Sequence, residues 1–363
     1  MSLRLFQNKT VLITGHTGFK GSWLAVWLES IGAKVVGVAL EPPMEPSHFK
    51  VAGLSEIIDD YRSDIRDGNA LKELVLKTQP DFVFHLAAQA LVRQSYDDPV
   101  ATYQTNVIGT LNLLEALRPL KKKCTTVLIT SDKCYNNVEW VWGYRETDAL
   151  GGPDPYSASK GAAELVIRSH VKSFFPKDGY VRIAVGRAGN VIGGGDWAQD
   201  RIVPDCVRSW AKGESVQLRN PLATRPWQHV LEPLSGYLAL ATELHQKDEL
   251  HGEPFNFGPS DYQNHTVLEL VQAMSGHWDK VCWEDNSGDE KEPYESGLLK
   301  LNCDKALYHL NWQAILSFQE TVKMTAEWYR SYYEDSSTIR DVTLAHIGKY
   351  ESMAQKKGLQ WAL

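Results

Sequence analysis

The chain has 363 residues, 43% hydrophobic and 23% charged, enough to bury a large core in one large domain or two unequal ones. A net charge of −7, with no basic run longer than Lys121–Lys123, argues against nucleic acid as a main partner. Five scattered cysteines form no CxxC pair or metal-ligand spacing, the first strand begins almost at once, and no apolar run nears the roughly 20 residues of a bilayer span. A folded, cytoplasmic protein with no metal and no membrane partner is expected.

From the N-terminus, short β-branched runs alternate with helical patterns. KTVLIT (9–14), KVVGVAL (34–40), EIIDDY (56–61), DFVFHLA (81–87), TTVLITS (125–131) and YVRIAVGRA (180–188) read as strands. Between them SWLAVWLES, GNALKELVLKT, VATYQTNVIGTLNLLEAL and SASKGAAELVIRSHVKSFF read as helices. Repeated units of this kind predict an α/β fold, a Rossmann-type doubly wound parallel sheet with helices on both faces and right-handed crossovers. After about residue 189 the pattern gives way to turn-rich stretches such as GGGDW, NPLATRPW and GPSDYQNH. The expected organisation is a dinucleotide-binding domain over 1–188 and a smaller α/β substrate domain over most of 189–363, with the chain crossing back to the first. The last clear helix spans 317–333, and the tail beyond it has enough apolar positions to be ordered.

GHTGFKGSW places Gly15, Gly18 and Gly21 three apart, directly after a strand and at the head of a helix read as amphipathic. In that context glycines allow a tight turn and let backbone N–H groups approach a pyrophosphate. Lys20 stands in the first turn of that helix, where a cation is ordinarily unfavourable. A bound pyrophosphate reverses the sign, so Lys20, with His16 as a second cation, is assigned to it, alongside Thr17 and Phe19 in the loop. A solvated Lys20 and a turn-capping His16 are the structural alternatives. The second strand ends in Ala39 and Leu40 with Glu41 slightly late, so the position that would choose between NAD and NADP is undecided. Asp64 and Ile65 suit the adenine, and Leu86, Ala87 and Ala88 at the end of the fourth strand allow close passage of a cofactor.

Tyr156 and Lys160 are four apart on a predicted helix, hence on one face. An ammonium favours the phenolate, so Tyr156 is a candidate base at a sugar or alcohol hydroxyl. The strand before them ends in Thr130 and Ser131, and Thr130, Tyr156 and Lys160 are also assigned to the cofactor.

Together TGHTGFKG, Asp64-Ile65, HLAAQ, Asn106 within YQTNVIGT, TSDKCY, YSASK, GRAGNVIGGGD and RPWQHV resemble the nucleotide-sugar branch of the extended short-chain dehydrogenase/reductase family, over about residues 9–330. Asp132-Lys133 after the serine, with HTGFKGSW, resembles the 4,6-dehydratases acting on CDP-glucose. Other dehydratases have Asp-Glu there, so their base does not carry over. Asn136 replaces a glycine common in relatives.

The resemblance implies tightly held NAD used twice. Tyr156, with Ser131 and Lys160, takes the proton of the sugar 4-hydroxyl while hydride leaves C4. A base removes the C5 proton, Asp132 protonates the departing 6-hydroxyl, and hydride returns to C6. Lys133 is either that base or a cation stabilising the enolate. A lysine, ordinarily near pKa 10.4 (about), accepts a proton only once neutral. Asn106 is carried over to the cofactor site. Gln89, Asn190, Arg201, Arg225 and Tyr294 are carried over to the substrate, with surface or bridging roles as alternatives for the two arginines. A homo-oligomer, dimer or tetramer, serving deoxysugar biosynthesis for lipopolysaccharide O-antigen is also implied. The competing readings are a nucleotide-sugar 4-epimerase and a non-catalytic dinucleotide sensor.

Overall fold

The computed structural model describes residues 3–259, 264–279, 281–286 and 297–362. Six strands follow the predicted series: β1 (Thr10–Thr14), β2 (Lys34–Ala39), β3 (Asp59–Arg62), β4 (Phe82–His85), β5 (Cys124–Ile129) and β6 (Val181–Ala188). A seventh, Pro254–Phe257, pairs with β6, and all pairings in this sheet are parallel. The order is Pro254–Phe257, β6, β5, β4, β1, β2, β3, so the direction of winding reverses between β1 and β4. Ligands bind at the carboxyl ends of strands at such a switch point.

Apart from the edge strand β3, the strands are buried on both faces, and alternate residues serve different cores. Val11, Ile13, Phe82, Phe84, Val127 and Ile129 join one cluster, whereas Leu12, Val83, Leu128, Ile183 and Val185 join the other. The second is closed by the helices Gly68–Thr78, Gly109–Leu117 and Pro155–Phe174. The first is closed by α1 (Phe19–Ser30) and by Leu231–Gln246, which packs across β5 and β6.

Three departures from the sequence reading have local causes. The third strand starts at Asp59, because Leu54–Glu56 winds into a 3-10 turn before it. The long helix expected over 100–117 is Pro99–Tyr103 and Gly109–Leu117, joined by a π-helical turn Gln104–Ile108. Thirdly, α1 is not amphipathic: every residue from Gly21 to Leu28 is buried. Its outer side is covered by the C-terminal helix Ile339–Lys356, through Trp27 Nε1 donating to Glu351 (2.7 Å) and Arg340 to Glu29 (2.7 Å).

The GGGD stretch crosses this cluster closely. A Cβ on Gly194 would lie 2.0 Å from the Trp328 ring. The buried carboxylate of Glu232 accepts from Ile315 N (2.9 Å), Leu316 N (2.7 Å) and Tyr350 OH (2.6 Å), tying the late chain to the sheet-covering helix. Outside this sheet lie small two-stranded pairings, such as Val216–Leu218 with Trp283–Asp285.

Candidate active site

The glycine loop is built for close approach. Gly15 has φ +79, in the left-handed region, and a Cβ there would lie 2.6 Å from Ala87 N. A Cβ on Gly21 would meet Gly15 O at 2.1 Å, so the third glycine lets α1 pack on its own loop. A Cβ on Gly18 would touch only Gly15 O, at 3.4 Å. Gly18 is also the N-cap of α1, with no side chain capping the helix, whereas Asp154 caps Pro155–Phe174 and Asp67 caps Gly68–Thr78. Free N–H groups beside an open glycine fit a dinucleotide pyrophosphate.

The flanking side chains divide. His16 is fully buried, with Nε2 on Asp60 Oδ1 (2.8 Å) and its ring against Gly37, where a Cβ would sit 2.4 Å away. It is therefore turned under the loop and does not offer a cation to an anion above it. Burial also pushes its pKa down, against the opposing Asp60. Thr17 Oγ1 donates to Leu40 O (3.0 Å), tying the loop to the end of β2, and Phe19 lines the main cavity.

Lys20 reaches into that cavity within electrostatic range of Lys160, Arg201 and Asp132, 6.0 Å above the Tyr237 ring. Among the described residues no carboxylate is bonded to it. Burial and then the two like charges push its pKa down to about 8. The charge therefore stands towards the Tyr156–Lys160 end of the cavity.

Of the pair expected at the adenine, Asp64 is held by Arg66 (2.6 and 2.8 Å), which keeps its carboxyl below the usual range. Ile65 is buried against Gly109, where a Cβ would lie 2.5 Å from Ile65 Cδ1, so its side chain is spent on core packing instead of on a ligand. Leu86, Ala87 and Ala88 follow β4 and are partly exposed beside Gly15. Asn106 sits buried in the π-turn, a frequent mark of functional sites. Its Oδ1 accepts from Gln89 N (2.9 Å), and its Nδ2 donates to Gln89 O (3.0 Å) and Ser159 Oγ (2.8 Å). The side chain of Gln89 closes on Leu91 and Thr102 instead of reaching the substrate cavity, contrary to the sequence assignment.

The reactive cluster faces a cavity of about 570 Å³ lined by Lys20, Ser131, Asp132, Lys133, Tyr156, Asn190, Arg201 and Arg225 among others. Tyr156 faces Ser131, which favours its phenolate; the Ser131 Oγ donates to Asp132 Oδ1 (2.9 Å) and accepts from Lys133 N (3.2 Å). Lys160 Nζ lies 6.0 Å over the Tyr156 ring. Burial lowers the Lys160 pKa to about 8 and raises that of Tyr156 to about 12. The net lowering of the phenol expected from the ammonium is therefore absent: desolvation outweighs the Ser131 hydrogen bond and Arg201, the two groups that favour phenolate. Asp132 is buried, its pKa raised chiefly by burial against the pull of Lys133, and its Oδ2 has no hydrogen-bond partner. Thr130 lines the cavity, but its hydroxyl is engaged within the protein: Oγ1 donates to Glu164 (2.6 Å).

Arg201 is anchored on the buried Asp196 (2.7 Å) and Arg225 donates to Thr224 O (2.9 Å). Tyr294 lies outside the described residues. Sequence reasoning gave no role to Asp196, although it ends the GRAGNVIGGGD motif, nor to Tyr237, whose buried hydroxyl is unpartnered near Asp132 and Tyr156. The tyrosine follows RPWQHV closely, which was the available signal.

A doubly wound sheet whose switch point carries both an open glycine loop and a Tyr–Lys helix defines an enzyme of the short-chain dehydrogenase/reductase class. Residues 12–325 match the family model for GDP-mannose 4,6 dehydratase. The chain is 47% identical over 332 residues to the CDP-glucose 4,6-dehydratase of Salmonella typhimurium, covering 90% of this chain and 92% of that one. It is 24% identical over 352 residues to the dTDP-glucose 4,6-dehydratase of Shigella flexneri, covering 88% and 92%. Among solved structures, the UDP-glucose 4-epimerase of Thermotoga maritima with UDP-glucose superposes with a TM-score of 0.75 at 25% identity, covering 89% and 99%. A dTDP-glucose 4,6-dehydratase of Bacillus anthracis in complex with NAD has the same fold, with a TM-score of 0.72 at 21% identity, covering 90% and 98%. The chain belongs to the GDP-mannose 4,6 dehydratase family.

Proposed function

We propose that the protein converts CDP-D-glucose to CDP-4-keto-6-deoxy-D-glucose with loss of water. The observation that carries this reading is Asp132, a carboxyl whose pKa is raised by burial, with one oxygen unpartnered and the other on Ser131, next to Tyr156. An acid at that position has work in an elimination and none in a simple inversion at C4. The 47% identical relative named for CDP-glucose supports the nucleotide.

The Gly15–Gly21 loop would hold NAD, which would supply a hydride acceptor at C4 and a hydride donor at C6. Tyr156 removes the 4-hydroxyl proton, with Ser131 beside it favouring phenolate and Lys160 supplying positive charge. The 4-ketone acidifies C5; Asp132 donates its proton to the departing 6-hydroxyl, and water leaves. Lys133, lining the same cavity, is the group available as C5 base or as an enolate-stabilising cation. Lys20 and Arg201 add positive charge to a cavity that must accept phosphate groups. Asn190 and Arg225, on the same lining, are assigned to the sugar nucleotide.

Exposed Tyr96, Val100, Tyr103 and Ile108, with Leu165 exposed on a helix packed against theirs, support a homodimer, which light scattering tests; a cytoplasmic location is proposed with the family assignment. For the chemistry, the protein is incubated with CDP-glucose and the products are identified by mass and by alkaline ultraviolet absorbance. A dehydrated 4-keto sugar is expected. CDP-galactose with no loss of water would replace this reading with the epimerase, and no turnover of any hexose nucleotide would favour the sensor.

A further inference from the structure

Behind the reactive cluster, on the side away from the cavity, lies a buried ion pair that the chemistry above leaves unused. Glu164 sits one helical turn beyond Lys160 on Pro155–Phe174, and Arg187 is near the end of β6. The contact is bidentate: Arg187 Nε donates to Glu164 Oε1 (2.8 Å) and Nη2 to Oε2 (2.9 Å). Only 2% of the arginine and 5% of the glutamate side chain is exposed, so both charges have been taken out of water.

Such a pair gives little net stability, since the desolvation cost roughly offsets the attraction, and a well-packed apolar replacement often does as well. Geometry gives it another use. Glu164 Oε1 also accepts from Thr130 Oγ1 at 2.6 Å. Thr130 immediately precedes Ser131 and Asp132, while Glu164 shares a helix with Tyr156 and Lys160. Arg187 Nη1 also donates to Tyr135 OH (2.7 Å), just past Cys134 on the same reactive segment, and Tyr135 OH donates to Asn256 (2.7 Å) on the seventh strand. The two elements that carry the reactive groups are thus joined at one carboxylate, and the segment is held again through the arginine.

We infer that Glu164 and Arg187 form a positioning unit for the reaction: through Thr130 and Tyr135 they fix the Tyr156–Lys160 helix against the Ser131–Asp132 strand end. The inference rests on the reading that Tyr156 and Lys160 carry the oxidation at C4. Neither Glu164 nor Arg187 lines the cavity, so the unit acts through other residues. Displacing a reactive group by about 1 Å can cost on the order of a hundredfold in rate without loss of substrate binding.

The unit also contributes to the charge state of Lys160. The ionisable groups facing that ammonium are Cys134 and Glu164, which favour its charged form, with Tyr156 before it, Lys20 a like charge from α1, and His85 kept neutral by burial. Loss of the glutamate therefore favours neutral Lys160, and the alkaline limb of the pH–rate profile should move to lower pH.

Two sets of variants test this in the NAD-loaded enzyme. Thr130→Val removes the linking hydroxyl and keeps both charges; Thr130→Ser keeps the hydroxyl. Glu164→Met combined with Arg187→Met removes the pair without leaving a lone buried charge. Expected for Thr130→Val is a fall in kcat of about tenfold or more, with KM for CDP-glucose and Kd for NAD within about threefold, and rescue by Thr130→Ser. The double variant should lose about a hundredfold in kcat and show the shifted alkaline limb. Wild-type kcat and pH profile in Thr130→Val overturn the inference even if the double variant fails to fold, as does a folded double variant with wild-type kcat. Tyr156→Phe is run alongside. If it keeps C4 oxidation, the proposed function fails; if it is inactive while Thr130→Val is normal, only the positioning role fails.

Discussion

Replacing Lys20 by methionine should make the empty protein more stable, and the gain should disappear at high pH. The ammonium sits in a largely buried place beside Lys160 and Arg201, and desolvation followed by those charges lowers its pKa from 10.5 to about 8. A drop of that size corresponds to about 3 kcal/mol against the charged form. The sign follows from proton counting. Between pH 8 and 10.5 the unfolded chain binds this proton and the folded chain does not, so stability rises with pH across that window. Below pH 8 the full penalty is present, and above 10.5 it vanishes. Lys20→Met removes the titration, so its advantage should be about 2–3 kcal/mol at pH 7 and close to zero above about pH 10. Methionine keeps the unbranched stem, so packing changes little. Urea unfolding of both proteins at pH 7, 8, 9 and 10 measures the difference directly. A constant difference across that series, or a destabilised variant at pH 7, would refute the reasoning and show that the ammonium is well solvated or paired.

Tyr156→Phe should abolish hydride removal from C4-deuterated CDP-glucose, whereas Asp132→Asn should still form reduced cofactor and lose elimination by about 10²–10⁴-fold; single-turnover absorbance separates the two. Glu232→Ala leaves two backbone N–H groups and a tyrosine hydroxyl without their acceptor, and should cost about 3–5 kcal/mol in urea unfolding. Gly194→Ala should unfold the crossing over Trp328, while Gly348→Ala, in a helix with nothing within 4 Å of the new methyl, should stabilise by up to about 1 kcal/mol. Calorimetry comparing the two glycine variants checks both signs.

What could be read from the sequence was whatever is encoded locally. The six strands and the Gly15 loop announce themselves by β-branched runs and spacing, and the Tyr156–Lys160 pair by helical period. The errors arise where a distant partner decides. His16 is claimed by Asp60, Thr130 by Glu164, and Gln89 by its own loop, so residues that looked directed at ligands are engaged within the protein. The burial of α1 depends on a helix more than 300 positions later, as the 311-residue separation of Arg340 and Glu29 shows. Leu231–Gln246 is buried from Leu231 to Leu244, so it lacks the polar face by which a helix is usually noticed. The phenol of Tyr156 illustrates a further limit: spacing finds the neighbouring ammonium but not the desolvation that outweighs it.

The way late segments cover early ones bears on how the chain can be made and rearranged. One face of the sheet is closed by Leu231–Gln246 and the outside of α1 by Ile339–Lys356. A ribosome adding about 5–20 residues per second exposes the first strands well before either cover exists. Trp23 and Trp27 would stay wet until the last turns emerge, so the nucleotide-binding half matures at the end of synthesis. For the same reason no single cut yields a portable cofactor module: a recombination event exchanging only the first half would inherit a helix made to be covered, without its cover.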